Sequence, residues 1–170
     1  MTGSDEGGNV PSWLEANRAY AEGFSDGDMP KRPVRQLFVL TCMDARIDPV
    51  RLLGLELGDA HVMRNAGGRV SDDALRSLVL SSALMGTREV VVIHHTDCAL
   101  GATTDEQVRR DLADLGIDVG NLWIGAFDDP DASVREDVAT LRSSLTDTDI
   151  AVSGYVYDVR TGSLRTVDEG

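Results

Sequence analysis

Two short runs, Leu37-Phe38-Val39-Leu40 and Val90-Val91-Val92-Ile93, are apolar at every position. A strand with one face in water alternates apolar and polar residues, so an unbroken run is expected where both faces are covered. Each run therefore predicts a strand inside a sheet with helices on both sides. Each also leads directly into residues able to ligate a metal: Cys42 after the first, His94 and His95 after the second. In open parallel sheets the acting residues tend to lie just past the carboxyl ends of the strands.

The rest of the chain alternates in the same manner. A third strand is expected over 60–63, followed by the turn Asn65-Ala66-Gly67-Gly68, and a late strand over 150–159 with Thr161-Gly162 turning it into a hairpin. Helices are expected at 49–53, with Asp48 as cap and Pro49 first; after Ser71 or Asp72, with Leu75, Leu78, Val79, Ser82 and Met85 as the apolar face and Gly86 as the stop; and over 104–115 and 133–145. Near the N-terminus, Ser12 is a candidate cap for a helix whose Trp13, Ala16, Tyr20 and Phe24 recur at roughly helical spacing. The organisation read from this is a flexible N-terminus over 1–11, a helical arm and connector over 12–32, and one α/β domain over 33–170. Strands alternating with helices predict a mostly parallel central β-sheet flanked by helices.

A chain of 170 residues can bury about 70% of its unfolded surface, which is enough for one true core. Its formal net charge is −13, and Lys31 is the only lysine beside fifteen arginines. A surface this negative repels nucleic acid and anionic membranes, which excludes both as main partners. No apolar stretch approaches the ~20 residues that span a bilayer. Residues 1–9 lack the basic and apolar regions of a signal peptide, so a cytoplasmic protein is expected. In a reducing compartment two cysteines are more often ligands, catalytic groups or core residues than a disulfide.

The potential soft ligands are Cys42, His95 and Cys98. Zinc takes thiolate and imidazole ligands, and its catalytic sites typically use three protein ligands and one open position. His95-x-x-Cys98 spans a turn that lets both side chains reach one ion, with Cys42 arriving from a neighbouring strand. The alternative is two small buried cysteines and a satisfied histidine. Adjacent strand residues point to opposite faces, so His94 and His95 are not expected to share a metal. In Cys42-Met43-Asp44-Ala45-Arg46, an extended backbone would put residues 42, 44 and 46 on one face. Arg46 could then keep Asp44 ionised and oriented. Asp44 could accept a hydrogen bond from a zinc-bound hydroxide, or swing in as a fourth ligand and close the site.

The segments Cys42-Met43-Asp44-Ala45-Arg46, Arg64-Asn65-Ala66-Gly67-Gly68 and His95-Thr96-Asp97-Cys98 together resemble the β-class carbonic anhydrases, in that family's order and approximate separations. The likeness runs from about residue 37 to residue 104, and three linked motifs are far more specific than one. It implies an α/β sheet core, a tightly associated homodimer or higher homo-oligomer, and one Zn2+ per subunit on Cys42, His95 and Cys98, with Asp44 and Arg46 as the catalytic dyad. The implied reaction is reversible hydration of carbon dioxide to bicarbonate and a proton by zinc-bound hydroxide. The resemblance also selects His95 over His94 as the ligand, and makes 13–24 a reasonable arm for embracing a partner. Within the same scaffold, some relatives hydrolyse carbonyl sulfide or carbon disulfide, which are also small, linear and uncharged. A further alternative is a non-catalytic zinc or redox-sensing protein.

Several positions depart from the family pattern. Ala99 follows Cys98 where glycine is usual. Val39 stands where some bacterial relatives have the tryptophan that joins an arginine, here Arg64, in a regulatory bicarbonate pocket. Gln36 lies at the base of its strand, too far from Cys42 to serve as the substrate hydrogen-bond donor of plant-type members. A more apolar pocket is expected. His61 has no metal-spaced partner and is expected to be structural.

Overall fold

The computed structural model describes residues 10–146 and 148–167. The chain divides into two units, Met1–Pro30 and Lys31–Gly170. In the first, helix α1 spans Val10–Glu22. It begins two residues before Ser12, so that serine lies inside the first turn rather than at the cap. Trp13, Leu14 and Tyr20 on this helix are exposed, and the Tyr20 ring packs on that of Phe24 at 5.4 Å. The flexible start expected over 1–11 lies, as far as residue 9, outside the described residues.

Among its described residues the second unit carries five strands: β1 (Leu37–Cys42), β2 (Ala60–Asn65), β3 (Glu89–His95), β4 (Ala151–Tyr157) and β5 (Leu164–Thr166). They form one sheet in the order β2-β1-β3-β4-β5. The first four are parallel, and β5 returns antiparallel to β4 through the turn that holds Thr161 and Gly162. Four helices accompany them: α2 (Pro49–Leu53), α3 (Asp72–Met85), α4 (Asp105–Asp114) and α5 (Pro130–Ser144). Among the described residues no helix is long and apolar enough to cross a membrane.

The apolar runs that predicted β1 and β3 are buried along their length because both faces are covered. Phe38, Leu40, Val90 and Val92 pack on Ala74 and Leu78 of α3 and on Val134, Val138 and Leu141 of α5. Leu37, Val39, Val91 and Ile93 pack on the other face with Leu52 and Leu53 of α2 and Leu55. Strand alternation assigns each core residue its side. Val39 is wholly buried in the second layer.

Local chemistry sets the helix ends. The Asp48 carboxylate accepts from Arg51 N, and Pro49 opens α2; Ser71 Oγ accepts from Ala74 N at the start of α3, and Gly86 in the left-handed region ends it. Two expectations need correction. Val79 is exposed: the buried stripe of α3 runs through Ala74, Leu78 and Ser81, whose small residues let the helix approach the sheet. Helix α5 starts at Pro130, three residues before the expected start, because Asp129 caps it through Asp131 N and Ala132 N.

A buried polar cluster fastens the end of β3 to α5. Arg69 donates to Asp137 Oδ2 at 2.9 Å, to Glu136 Oε2 at 2.7 Å and to the Gly125 carbonyl at 3.1 Å. His94, wholly buried, stacks on Phe127 at 5.6 Å, and its Nε2 lies 3.1 Å from Asp137 Oδ2, too oblique for a hydrogen bond. His94 thus faces α5, on the opposite side of the strand from His95.

Candidate active site

Cys42 ends β1 and His95 ends β3, and these strands are parallel neighbours with Thr41 level with Ile93. The turn after β3 brings Cys98 back beside them. The two sulfurs and a His95 ring nitrogen all lie within 4.8 Å of one another. Cys42 and His95 are buried and Cys98 is half-buried.

The donor set fits a metal. His95 Nδ1 donates to the Thr96 carbonyl at 2.9 Å, which leaves the lone pair on Nε2. That Nε2 is buried and has no hydrogen-bond partner among the described residues, which costs free energy unless something else binds it. Without a metal the two sulfurs share a proton. A hydrogen bond from Cys98 and those from the backbone amides of Asp44 and Gly67, with the His95 ring close by, outweigh burial and bring the Cys42 thiol down to about 4. Cys98 holds that proton, so its own pKa is pushed up, with burial adding to the effect. Burial opposes charge on His95, yet the Cys42 thiolate outweighs it and raises the imidazole. A soft cation would replace these protons and satisfy all three donor atoms together.

Asp44 and Arg46 stand beside this cluster, but not because the chain is extended. The backbone turns here, with Ile47 N donating to the Asp44 carbonyl at 3.0 Å. Asp44 Oδ1 accepts from Arg46 N at 2.9 Å and Nε at 3.0 Å, and Oδ2 accepts from Nη2 at 2.7 Å. This turn, rather than strand alternation, makes the pair. The guanidinium holds the Asp44 carboxyl far below the usual carboxylate range. Asp44 Oδ2 lies 3.9 Å from His95 Nε2, at the rim of the cluster and outside its ligand group.

Residues beyond the expected five shape the site. Arg64 Nε donates to the Cys42 carbonyl at 3.0 Å and its Nη2 to the Asp44 carbonyl at 2.7 Å, bracing the backbone that carries both Cys42 and Asp44. Gly67 and Gly68 have φ of +77° and +71°, and a Cβ on Gly68 would stand 2.9 Å from Cys42 N and 3.1 Å from the Ile93 carbonyl. Two glycines let the 3₁₀ turn Ala66–Gly68 lie against both strand ends. Arg46 also reaches Asp97, which lies between His95 and Cys98. The motifs named Arg64, both glycines and Asp97, but spacing does not say which backbone or side-chain atom each one meets. Gln36 precedes β1 at the opposite end of the strand from Cys42, and His61 Nδ1 bonds Ser81 Oγ at 2.7 Å.

Before the cluster lies a cavity of about 390 Å³, whose lining includes Met43, Ala45, Ala66, Ala99 and Leu100 beside Cys42, Asp44 and Cys98. Its walls are apolar apart from Asp44 and the ligands.

The carbonic anhydrase family profile matches residues 37–116. β-Carbonic anhydrase 1 of Mycobacterium tuberculosis is 38% identical over 157 residues, covering 91% of this chain and 95% of the relative. The chain belongs to the β-carbonic anhydrase family. Within that family it is similar to solved and curated proteins of two descriptions. A carbonic anhydrase crystal structure from Streptococcus mutans superposes with a TM-score of 0.87 at 42% identity, covering 99% of this chain and all of the other. A carbon disulfide hydrolase of Acidithiobacillus thiooxidans is 35% identical over 152 residues, covering 77% of this chain and 76% of that enzyme. The α/β fold with its mostly parallel sheet is thus the β-carbonic anhydrase fold.

Proposed function

We propose that this β-carbonic anhydrase family member is a zinc enzyme that reversibly hydrates carbon dioxide, with Cys42, His95 and Cys98 holding the metal and Asp44 and Arg46 acting beside it. The observation that carries the reading is the buried His95 Nε2, without a hydrogen-bond partner among the described residues, converging with two cysteine sulfurs at the rim where Asp44 is held. A zinc ion held there supplies Lewis acidity that makes water a nucleophile near neutral pH.

The chain's own residues prepare the rest. The bond from His95 Nδ1 to Thr96 fixes the ring so that Nε2 faces the cluster. Arg46 keeps Asp44 ionised, so Asp44 Oδ2 is a pure acceptor able to orient a water and hold its proton toward itself. Arg64 fixes the carbonyls of Cys42 and Asp44, which keeps acceptor and ligand in register. The apolar walls suit a small, linear, uncharged substrate and exclude competing polar ligands.

The same walls favour a second reading, hydrolysis of carbonyl sulfide or carbon disulfide, since carbon disulfide hydrolases are among the similar proteins. One zinc-loaded preparation assayed for carbon dioxide hydration and for sulfide release from carbonyl sulfide separates the two. Hydration is expected to be the faster reaction; sulfide release with negligible hydration would overturn the primary reading.

The active form on this reading is a homodimer or larger homo-oligomer. Exposed Trp13, Leu14 and Tyr20 on α1, and separately exposed Val79, Leu80 and Leu84 on α3, are apolar surface suited to a second copy. The division into an N-terminal arm over 12–32 and a catalytic domain over 33–170 belongs to the same proposal, as does a cytoplasmic location.

A further inference from the structure

The Arg46 guanidinium has two ends in use. Nε and Nη2 face Asp44; Nη1 donates to Asp97 Oδ2 at 2.7 Å, and Nη2 also donates to the Asp97 carbonyl at 2.8 Å. Asp97 lies between His95 and Cys98 and has φ of +56°, a left-handed conformation that aspartate and asparagine tolerate better than most residues. The arginine is held by residues two and 51 positions away. A long, half-exposed side chain bound only to Asp44 would follow that carboxylate wherever it rotated; bound at both ends, it is a fixed post.

We propose that Asp97 is a positioning residue: it anchors the far side of Arg46, and Arg46 thereby holds Asp44 off the metal cluster. The distance at stake is short. Asp44 Oδ2 is 3.9 Å from His95 Nε2, so a modest side-chain rotation would carry it among the ligands and close the fourth position. Asp97 also couples the two halves of the site, because the residue that steadies the dyad is built into the turn that delivers Cys98. This rests on the proposed function, since it needs Asp44 and Arg46 to act beside a bound metal.

The test compares cobalt-substituted wild type with Asp97→Gly, which keeps the backbone conformation but removes the anchor, and Asp97→Asn, which keeps one acceptor oxygen without the charge. Each is titrated with thiocyanate, read by its visible absorption spectrum, and assayed for carbon dioxide hydration. Asp97→Gly should retain cobalt, bind thiocyanate about tenfold more weakly or worse because Asp44 competes for the metal, and lose about tenfold or more in kcat. Asp97→Asn should lie between it and wild type; if the glycine variant does not fold, a weakening of about threefold or more in the asparagine variant carries the proposal. Wild-type thiocyanate affinity and kcat in the folded variants would overturn it. So would loss of cobalt from both, since Asp97 would then hold the ligand turn and not the arginine. A wild-type protein that takes up no cobalt, or hydrates no carbon dioxide, would instead refute the underlying functional reading.

Discussion

Asp44→Asn is expected to lower carbon dioxide hydration by about 10²- to 10⁴-fold, the usual range for loss of a positioned proton acceptor, while the protein keeps its metal. The substitution is nearly isosteric, so the turn and the apolar cavity should survive. What it removes is the charge that makes both oxygens acceptors. The one oxygen left on the amide side chain could still accept from Arg46, but its NH₂ would point donors at the place where an acceptor is needed. Metal retention is expected because Asp44 is outside the group formed by Cys42, His95 and Cys98. Metal analysis and stopped-flow hydration on the same sample check both parts. Retained turnover would mean that Asp44 is a spectator.

The second large effect is on stability. Gly68→Ala would put a Cβ 2.9 Å from Cys42 N, 3.0 Å from the Thr41 carbonyl carbon and 3.1 Å from the Ile93 carbonyl oxygen, all backbone atoms of the two central strands. Its φ of +71° adds the left-handed penalty of about 1–2 kcal/mol, and overpacking adds about 1–3 kcal/mol. A loss of roughly 3 kcal/mol corresponds to a fall in Tm of about 6–12 °C for a chain of this size. Gly116→Ala is the control: its φ is +78°, but nothing among the described residues lies within 4 Å of the added carbon, so only the backbone term of about 1–2 kcal/mol should appear. Thermal unfolding of the pair separates strain from collision. Equal shifts in the two would contradict the close approach at Gly68.

These two substitutions also mark what was legible in the sequence. Strands β1 and β3 were readable because unbroken apolar runs arise where a sheet is covered on both faces, and Cys42 and His95 followed as their carboxyl ends. The opposite facing of His94 and His95 followed from the pleat. Strand alternation predicts the pairing of Asp44 with Arg46, but its physical cause is a turn in which the Asp44 side chain accepts from Arg46 N. The face of α3 was misplaced at Val79 because periodicity marks hydrophobic residues and the sheet selected small ones. The role of Asp97 toward Arg46, and the contact of Gly68 with two strand backbones, depend on groups brought together from distant parts of the chain. A linear pattern carries no record of such meetings.

The proposed function depends most directly on Cys42, His95 and Cys98 as metal ligands, and metal content measures them. Purified after expression with zinc, the wild-type protein should hold one zinc ion per chain, and Cys98→Ser and His95→Ala should each lose it while remaining folded. Wild-type protein without stoichiometric zinc, or variants that keep it, would contradict the assignment of Cys42, His95 and Cys98 as one metal centre.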